Sequence, residues 1–318
     1  MLYDEPKVSI ITPCYNGENY LEYFFKSLMA QTYKNVEFIF INDGSDDNSY
    51  KIYERYESEF IKKGWTPIYI YQENSGAASA INKGLKIFTG KYFIWPDCDD
   101  ILYYNHIEEK VKFMEQNPEY GIAYSPFDIA SIDNPEKIIG KHDFIPDDKM
   151  FSNIIERKNL IWTLGTIIRT KCFLDVNPER VIPECKGGQN CQIQMPILYK
   201  YPCGYINKTL SRYIVHQNSH SHKKKPFFKR EIGYLEVWIK SIDMLKDMPE
   251  YKKIFYKLKV ILRSIKPIAA HYFEYIFSVK SSVVNDKKYV IIYFFLIKIT
   301  FKLRCPLQKV IKSKNFAK

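Results

Sequence analysis

Two carboxylates separated by one residue, Asp97 and Asp99, stand with a third, Asp100, directly after the apolar run Lys91-Tyr-Phe-Ile-Trp95. If that run is a strand, its end fixes the origin of the pair, and both side chains can turn toward one oxygen-liganded cation. Hard divalent ions such as Mg²⁺ and Mn²⁺ take carboxylates together with phosphate oxygens, so the spacing suits a phosphorylated ligand. Solvated acidic turns produce the same pattern, and Asp100 can instead cap a following helix. Asp43, in Asp43-Gly44-Ser45, offers an acceptor-only carboxylate that can take an N–H from a nucleobase. The alternative is a turn permitted by Gly44, with Asp46 or Ser49 capping the next helix. Asn74, Gly76, Asn82 and Gly84 also read both ways, as small or polar residues that bring a helix close to a ligand or that simply pack.

The elements that must hold these residues follow from periodicity. Val8 to Pro13 and Val36 to Asn42 are short apolar runs rich in branched and aromatic residues, as buried strands are. Between them, from Asn19 to Gln31, Tyr20, Leu21, Phe24, Phe25, Leu28 and Met29 recur at spacings of three and four, one stripe of an amphipathic helix. Ser49 to Lys63 repeats that pattern, Pro67 to Tyr71 and Lys91 to Trp95 are further strands, and Ser75 to Phe88 is the helix between them. The β-α-β-α-β-α-β order implies an α/β fold with a mostly parallel sheet and right-handed crossovers. Ligands bind such sheets beyond the carboxyl ends of the strands, where all four polar clusters fall. After a helix from Asn105 to Gln116, Tyr120 to Phe127 reads as one more strand.

With 318 residues and 46% apolar content the chain can bury a full core. Its net charge of +11 is unevenly placed: residues 223–318 hold 23 basic and 7 acidic residues, and the remainder is slightly acidic. Seven cysteines with no CxxC pair argue against a disulfide framework or a zinc site and fit a reducing compartment. The N-terminal residues lack the basic and apolar regions of an export signal. The longest apolar stretch, Tyr289 to Ile297, is about half of the ~20 residues a spanning helix needs. A cytoplasmic protein is expected. GxGxxG is absent after the first strand, which disfavours a Rossmann dehydrogenase, and no nucleic-acid motif accompanies the basic residues.

In order and spacing the four clusters resemble the family 2 glycosyltransferases, over roughly residues 7–220. Val8-Ser-Ile-Ile-Thr-Pro-Cys-Tyr-Asn-Gly17 is similar to that family's opening strand, and Phe40-Ile-Asn-Asp-Gly-Ser45 to its second, with Asn42 where many members carry Asp. Asn74-Ser-Gly-Ala-Ala-Ser-Ala-Ile-Asn-Lys-Gly84 is similar to the third motif, and Trp95-Pro-Asp-Cys-Asp-Asp100 to the metal-binding DxD motif. The resemblance implies a GT-A fold and an inverting transferase that moves a hexosyl or related sugar from a nucleotide diphosphate donor, a UDP-sugar foremost. The acceptor it implies is a saccharide or lipid-linked saccharide of cell-surface polysaccharide synthesis. Pro13, Tyr15 and Asp43 would then surround the base, with Asn74, Gly76 and Asn82 also on the donor side. Asp97 and Asp99 would hold the ribose and a Mn²⁺ or Mg²⁺ diphosphate, with Asp99 the direct ligand and His216 a further one.

The acceptor side departs from the family pattern. Members often carry the catalytic base in a Glu-Asp pair, where this chain has Gln189 and Asn190, and a neutral amide cannot take a proton. Either Glu184 or Asp175 takes that role, or the acceptor is deprotonated in another way, or activity is impaired, with Asn190 still at the reacting centre. A sugar-nucleotide-binding protein without turnover is the competing reading, and a nucleotidyltransferase on a similar sheet a more distant one. Arg169 and Lys171 either meet phosphates or are solvated strand-end charges, and His220 and His222 extend the polar cluster begun by His216. The expected organisation is a GT-A domain over 1–222, with a donor half (1–102) and an acceptor half (103–222), followed by a basic, amphipathic, mainly helical region over 223–318. Interleaved aromatic and basic residues in that region fit peripheral contact with an anionic membrane at its inner face.

Overall fold

A computed structural model describes residues 5–156, 162–185, 188–216, 227–284, 287–294 and 297–302, with side chains through 265 except at 227–230. It divides into two units, 1–260 and 261–318. In the first, β1 (Val8–Cys14), α1 (Leu21–Met29), β2 (Val36–Asp43), α2 (Ser49–Lys62), β3 (Thr66–Gln72), α3 (Ala77–Ile87) and β4 (Tyr92–Ile94) alternate as the periodicity requires. Then come β5 (Ile101–Leu102), α4 (His106–Gln116), β6 (Ile122–Tyr124), β7 (Phe127–Ser131), β8 (Asn134–His142) and α5 (Met150–Ile155). β9 (Thr166–Arg169), α6 (Thr170–Val176), α7 (Gln189–Lys200), β10 (Cys203–Tyr205), β11 (Ser211–Val215) and α8 (Phe227–Asp243) follow, and α9 (Glu250–Ile276) begins in this unit and ends in the second.

The main sheet has the order β10-β6-β9-β4-β1-β2-β3, with β4, β1, β2 and β3 parallel. Every residue of β1 and β2 is buried, because helices cover both faces and leave no polar alternation for these strands to display. β9 is antiparallel to both β4 and β6, so the sheet is mixed at that point. The helices approach closely where the sequence is small: a Cβ on Gly84 of α3 would come within 2.3 Å of Ile11 Cγ2.

The single strand expected from Tyr120 to Phe127 is two strands in two sheets. Pro126 lacks an N–H, and the chain leaves the main sheet there. β7 enters a second sheet ordered β5-β11-β7-β8, in which β11 runs antiparallel to β5 with Arg212 opposite Ile101. That register sends the end of β11 back toward the residues just before β5, which are Asp97 to Asp100.

Beyond residue 223 the described chain is mainly helical, as expected, but it ends in a three-stranded antiparallel sheet that was not. Its strands are β12 (Phe277–Val284), β13 (Lys287–Phe294) and β14 (Ile297–Lys302). Pro267 does not break α9, which passes through it.

Candidate active site

The loops after β1 and β2 are tied by side chains accepting backbone N–H groups. Ser45 Oγ accepts from Asn16 N–H at 3.0 Å, Ser49 Oγ from Gly17 N–H at 2.9 Å, and Asp47 from Glu18 N–H at 2.9 Å. Neither Asp46 nor Ser49 caps α2; Asp47 Oδ1 instead accepts the Ser49 N–H at 2.9 Å. Gly44 is required at its position, with φ +73° and Asn74 N only 2.6 Å from where a Cβ would sit. Asn42 closes the same turn by accepting the Ser45 N–H at 2.8 Å.

Asp43 clasps the loop after β3. Its Oδ1 accepts from the Gln72 amide at 2.7 Å and the Ser75 N–H at 2.8 Å, and its Oδ2 from the Gly76 N–H at 2.9 Å. An ionised carboxylate has about four lone-pair positions, so one remains on Oδ2. Pro13 is buried at the end of β1, while Tyr15, 52% exposed, and Asn74 lie open at the same rim. Asn82 does something else: its amide donates to Ile182 O at 2.9 Å and accepts from Ile182 N–H at 2.8 Å. Both its hydrogen-bonding ends therefore bind the backbone of the segment before α7, which corrects its expected place among the donor contacts.

Asp97, Asp99 and Asp100 follow β4 and form one cluster, with a ligand atom from each within 4.8 Å of the others. Asp100 is no helix cap: it is buried, and its Oδ1 has no hydrogen-bond partner among the described residues. Burial, then Asp99, pushes the Asp97 carboxyl up to about 7; burial, then Asp99 and Asp97, pushes Asp100 up as well. Like charges brought out of water in this way call for a cation. The donor set fits a hard divalent ion: three carboxylates, one oxygen orphaned, and an imidazole beside them.

That imidazole is His216, which the register of β11 returns to this rim. Its Nε2 lies 2.7 Å from Asp99 Oδ2, and its Nδ1 lies 2.9 Å from the Tyr20 hydroxyl. The rings of Tyr20 and His216 stack with centroids 4.1 Å apart. Tyr20 was not legible as a site residue, because it falls on the apolar stripe of α1; its position at the N-terminus of that helix is the signal that separates it. Cys98, between the two acids, has its thiol pushed well up, first by a hydrogen bond with Cys14 and then by burial, which makes it a poor nucleophile. His220 and His222 lie outside the described residues.

On the acceptor side, the first turn of α7 presents amides. Asn190 Oδ1 accepts the indole N–H of Trp95 at 3.3 Å, which joins this turn to the residue two before Asp97. Gln189 Oε1 and Gln192 Oε1 are buried with no partner among the described residues. Glu184 is exposed on the segment leading into α7. Asp175, the other candidate base, is engaged elsewhere: its Oδ2 meets Lys200 and accepts the Tyr201 hydroxyl, each at 2.7 Å.

Arg169 belongs to the opposite rim, paired in register with Tyr92 at the start of β4. Its guanidinium donates to the Tyr92 hydroxyl and to the carbonyls of Met114, Asn117 and Tyr120. With Lys171 and Arg180 it lines an open cleft of about 510 Å³ there, away from the acids.

The chain is similar to an uncharacterized glycosyltransferase of Rickettsia conorii, 33% identical over 207 residues, which cover 64% of this chain but only 29% of that protein. An uncharacterized glycosyltransferase of Haemophilus influenzae is 27% identical over 90% of this chain and 97% of its own length. The crystal structure of S. aureus TarS 1–349 in complex with UDP-GlcNAc superposes with a TM-score of 0.55 at 15% identity, covering 93% of this chain and 99% of that one. The shared architecture is the GT-A fold. Residues 9–174 match the sequence model of glycosyl transferase family 2, and the chain belongs to that family.

Proposed function

We propose that this chain transfers a sugar, with inversion, from a UDP-sugar to a saccharide or lipid-linked saccharide acceptor, and does so at the inner face of the cell membrane. The observation that carries the reading is the convergence of Asp97, Asp99, Asp100 and His216 at the carboxyl rim of the parallel strands. In the reaction, Asp43 accepts an N–H of the base through its remaining lone pair, and Tyr15 lies against the ring. Asp99, Asp97 and His216 would hold Mn²⁺ or Mg²⁺. Such an ion neutralises the charge that develops on the departing diphosphate. Tyr20 holds the His216 ring by stacking and by its hydroxyl. The UDP-GlcNAc bound to TarS supports a UDP-sugar as the donor.

Glu184 takes the proton of the attacking hydroxyl, because the amides of Gln189 and Asn190 have no basic lone pair at neutral pH. Those amides also motivate a second reading, in which the chain binds a sugar nucleotide without turning it over. A screen of nucleotide sugars by Mn²⁺-dependent thermal stabilisation, followed by assay for released UDP, separates the two. Stabilisation with UDP release is the expected result, and stabilisation without release supports the second reading. An equal shift in Asp99→Ala counts against the assigned site.

A further inference from the structure

Between Tyr251 and Val260, one face of α9 is packed and the opposite face is bare among the described residues. Val260 and Ser264 are buried, Tyr256 meets the ring of Phe151 at 5.4 Å, and Lys257 and Lys259 pair with Asp243 and Glu156. On the other side Tyr251, Ile254, Phe255 and Leu258 are each 53 to 69% exposed. At 100° per residue these four fall within an arc of about 100°. Scattered apolar residues on a surface need no explanation, but an unbroken stripe of this kind does.

We propose that this stripe inserts into the interface of an anionic bilayer, with α9 lying in the plane of the membrane. Charge selects the occupant. The stripe belongs to the region in which 23 basic residues face 7 acidic ones, so a second copy would bring like charge against like. Anionic headgroups attract that charge while the acyl boundary takes the aromatic and aliphatic side chains. The exposed Lys252 borders the stripe on one flank. This deepens the membrane contact proposed above by assigning it a face, and its test reads lipid binding alone, so its failure leaves the donor-sugar reading intact.

The test is flotation of the full chain with vesicles of phosphatidylcholine and phosphatidylglycerol in equal parts, and with phosphatidylcholine alone. The wild type binds the mixed vesicles and binds the neutral ones far less. Phe255→Ser with Leu258→Ser lowers partitioning about tenfold or more while the melting temperature holds, since both side chains are exposed. As an independent readout, Leu258→Trp adds fluorescence that brominated acyl chains quench. The proposal is overturned if wild type does not float, if the double variant floats as well as wild type, or if the fluorescence added by Leu258→Trp is not quenched. It is equally overturned if the wild type is a dimer that the double variant converts to monomer.

Discussion

The two rims of the main sheet hold their acidic side chains differently, with the clasped Asp43 the exception at the carboxyl rim. At the amino rim, the buried Glu37 accepts from the Ser9 hydroxyl, from both the N–H and the hydroxyl of Thr89, and from the Gly90 N–H. Arg169 at that rim has four hydrogen-bond partners. At the carboxyl rim, Asp97, Asp99 and Asp100 crowd one another and an oxygen of Asp100 is left unpartnered among the described residues. Buried charge that is fully hydrogen-bonded has its desolvation cost offset, whereas buried charge held short of partners destabilises the fold unless something else binds. We read the crowded rim as the chemical one and the fully bonded rim as the structural one, although the open cleft lies at the latter.

The contrast can be broken by substitution at either end. Asp99→Asn is expected to lower sugar transfer by about 10³-fold or more while leaving the fold intact, because it removes a like charge as well as a ligand. Steady-state kinetics together with a melting curve check both halves of that statement. Glu37→Gln should do the reverse: a loss of about 1–3 kcal/mol in denaturant unfolding, from imperfectly matched N–H donors, with unchanged turnover per folded molecule. Turnover that fell with stability would blur the distinction between the rims.

Two smaller effects sharpen it. Tyr20→Phe removes the hydroxyl at His216 Nδ1 but keeps the stacked ring, so Mn²⁺ affinity measured by calorimetry should drop about tenfold. The last concerns pH in metal-free protein. Asp97 has a folded pKa raised to about 7, so between its unfolded value and about 7 the folded state holds a proton that the unfolded state has lost. Its contribution to stability therefore falls as pH rises through that window and levels off above it. Asp97→Asn should flatten that part of the melting temperature profile, and saturating Mn²⁺ should flatten it in wild type.

Of the four parallel strands, β1, β2 and β4 were legible because burial on both faces leaves uninterrupted apolar runs, while the edge strand β3 is only partly buried yet still reads as a short run of branched and aromatic residues. The acids after β4 were legible because strand ends fix their position. Contacts that span the chain were not. The pairing of Asn82 with Ile182 joins residues 100 apart, and nothing in the local pattern of α3 distinguishes that amide from a ligand contact. Nor does local periodicity reveal that β9 enters antiparallel between β4 and β6, or that Ser125 and Pro126 divide one apolar run between two sheets. Glu37 did carry a signal, as a charge inside a buried run that must find partners, but which partners depended on the turn at Thr89 and Gly90. His216 stood out as a polar residue, yet only the β5–β11 register explains why it meets Asp99.

The proposed chemistry rests on a cation held at the carboxyl rim, and the most direct test is Mn²⁺ binding in the presence of UDP, followed through the electron paramagnetic resonance of the free ion. Wild type should remove about one ion per chain from solution and Asp99→Asn should remove none at the same concentration. Equal uptake by the two proteins would contradict it.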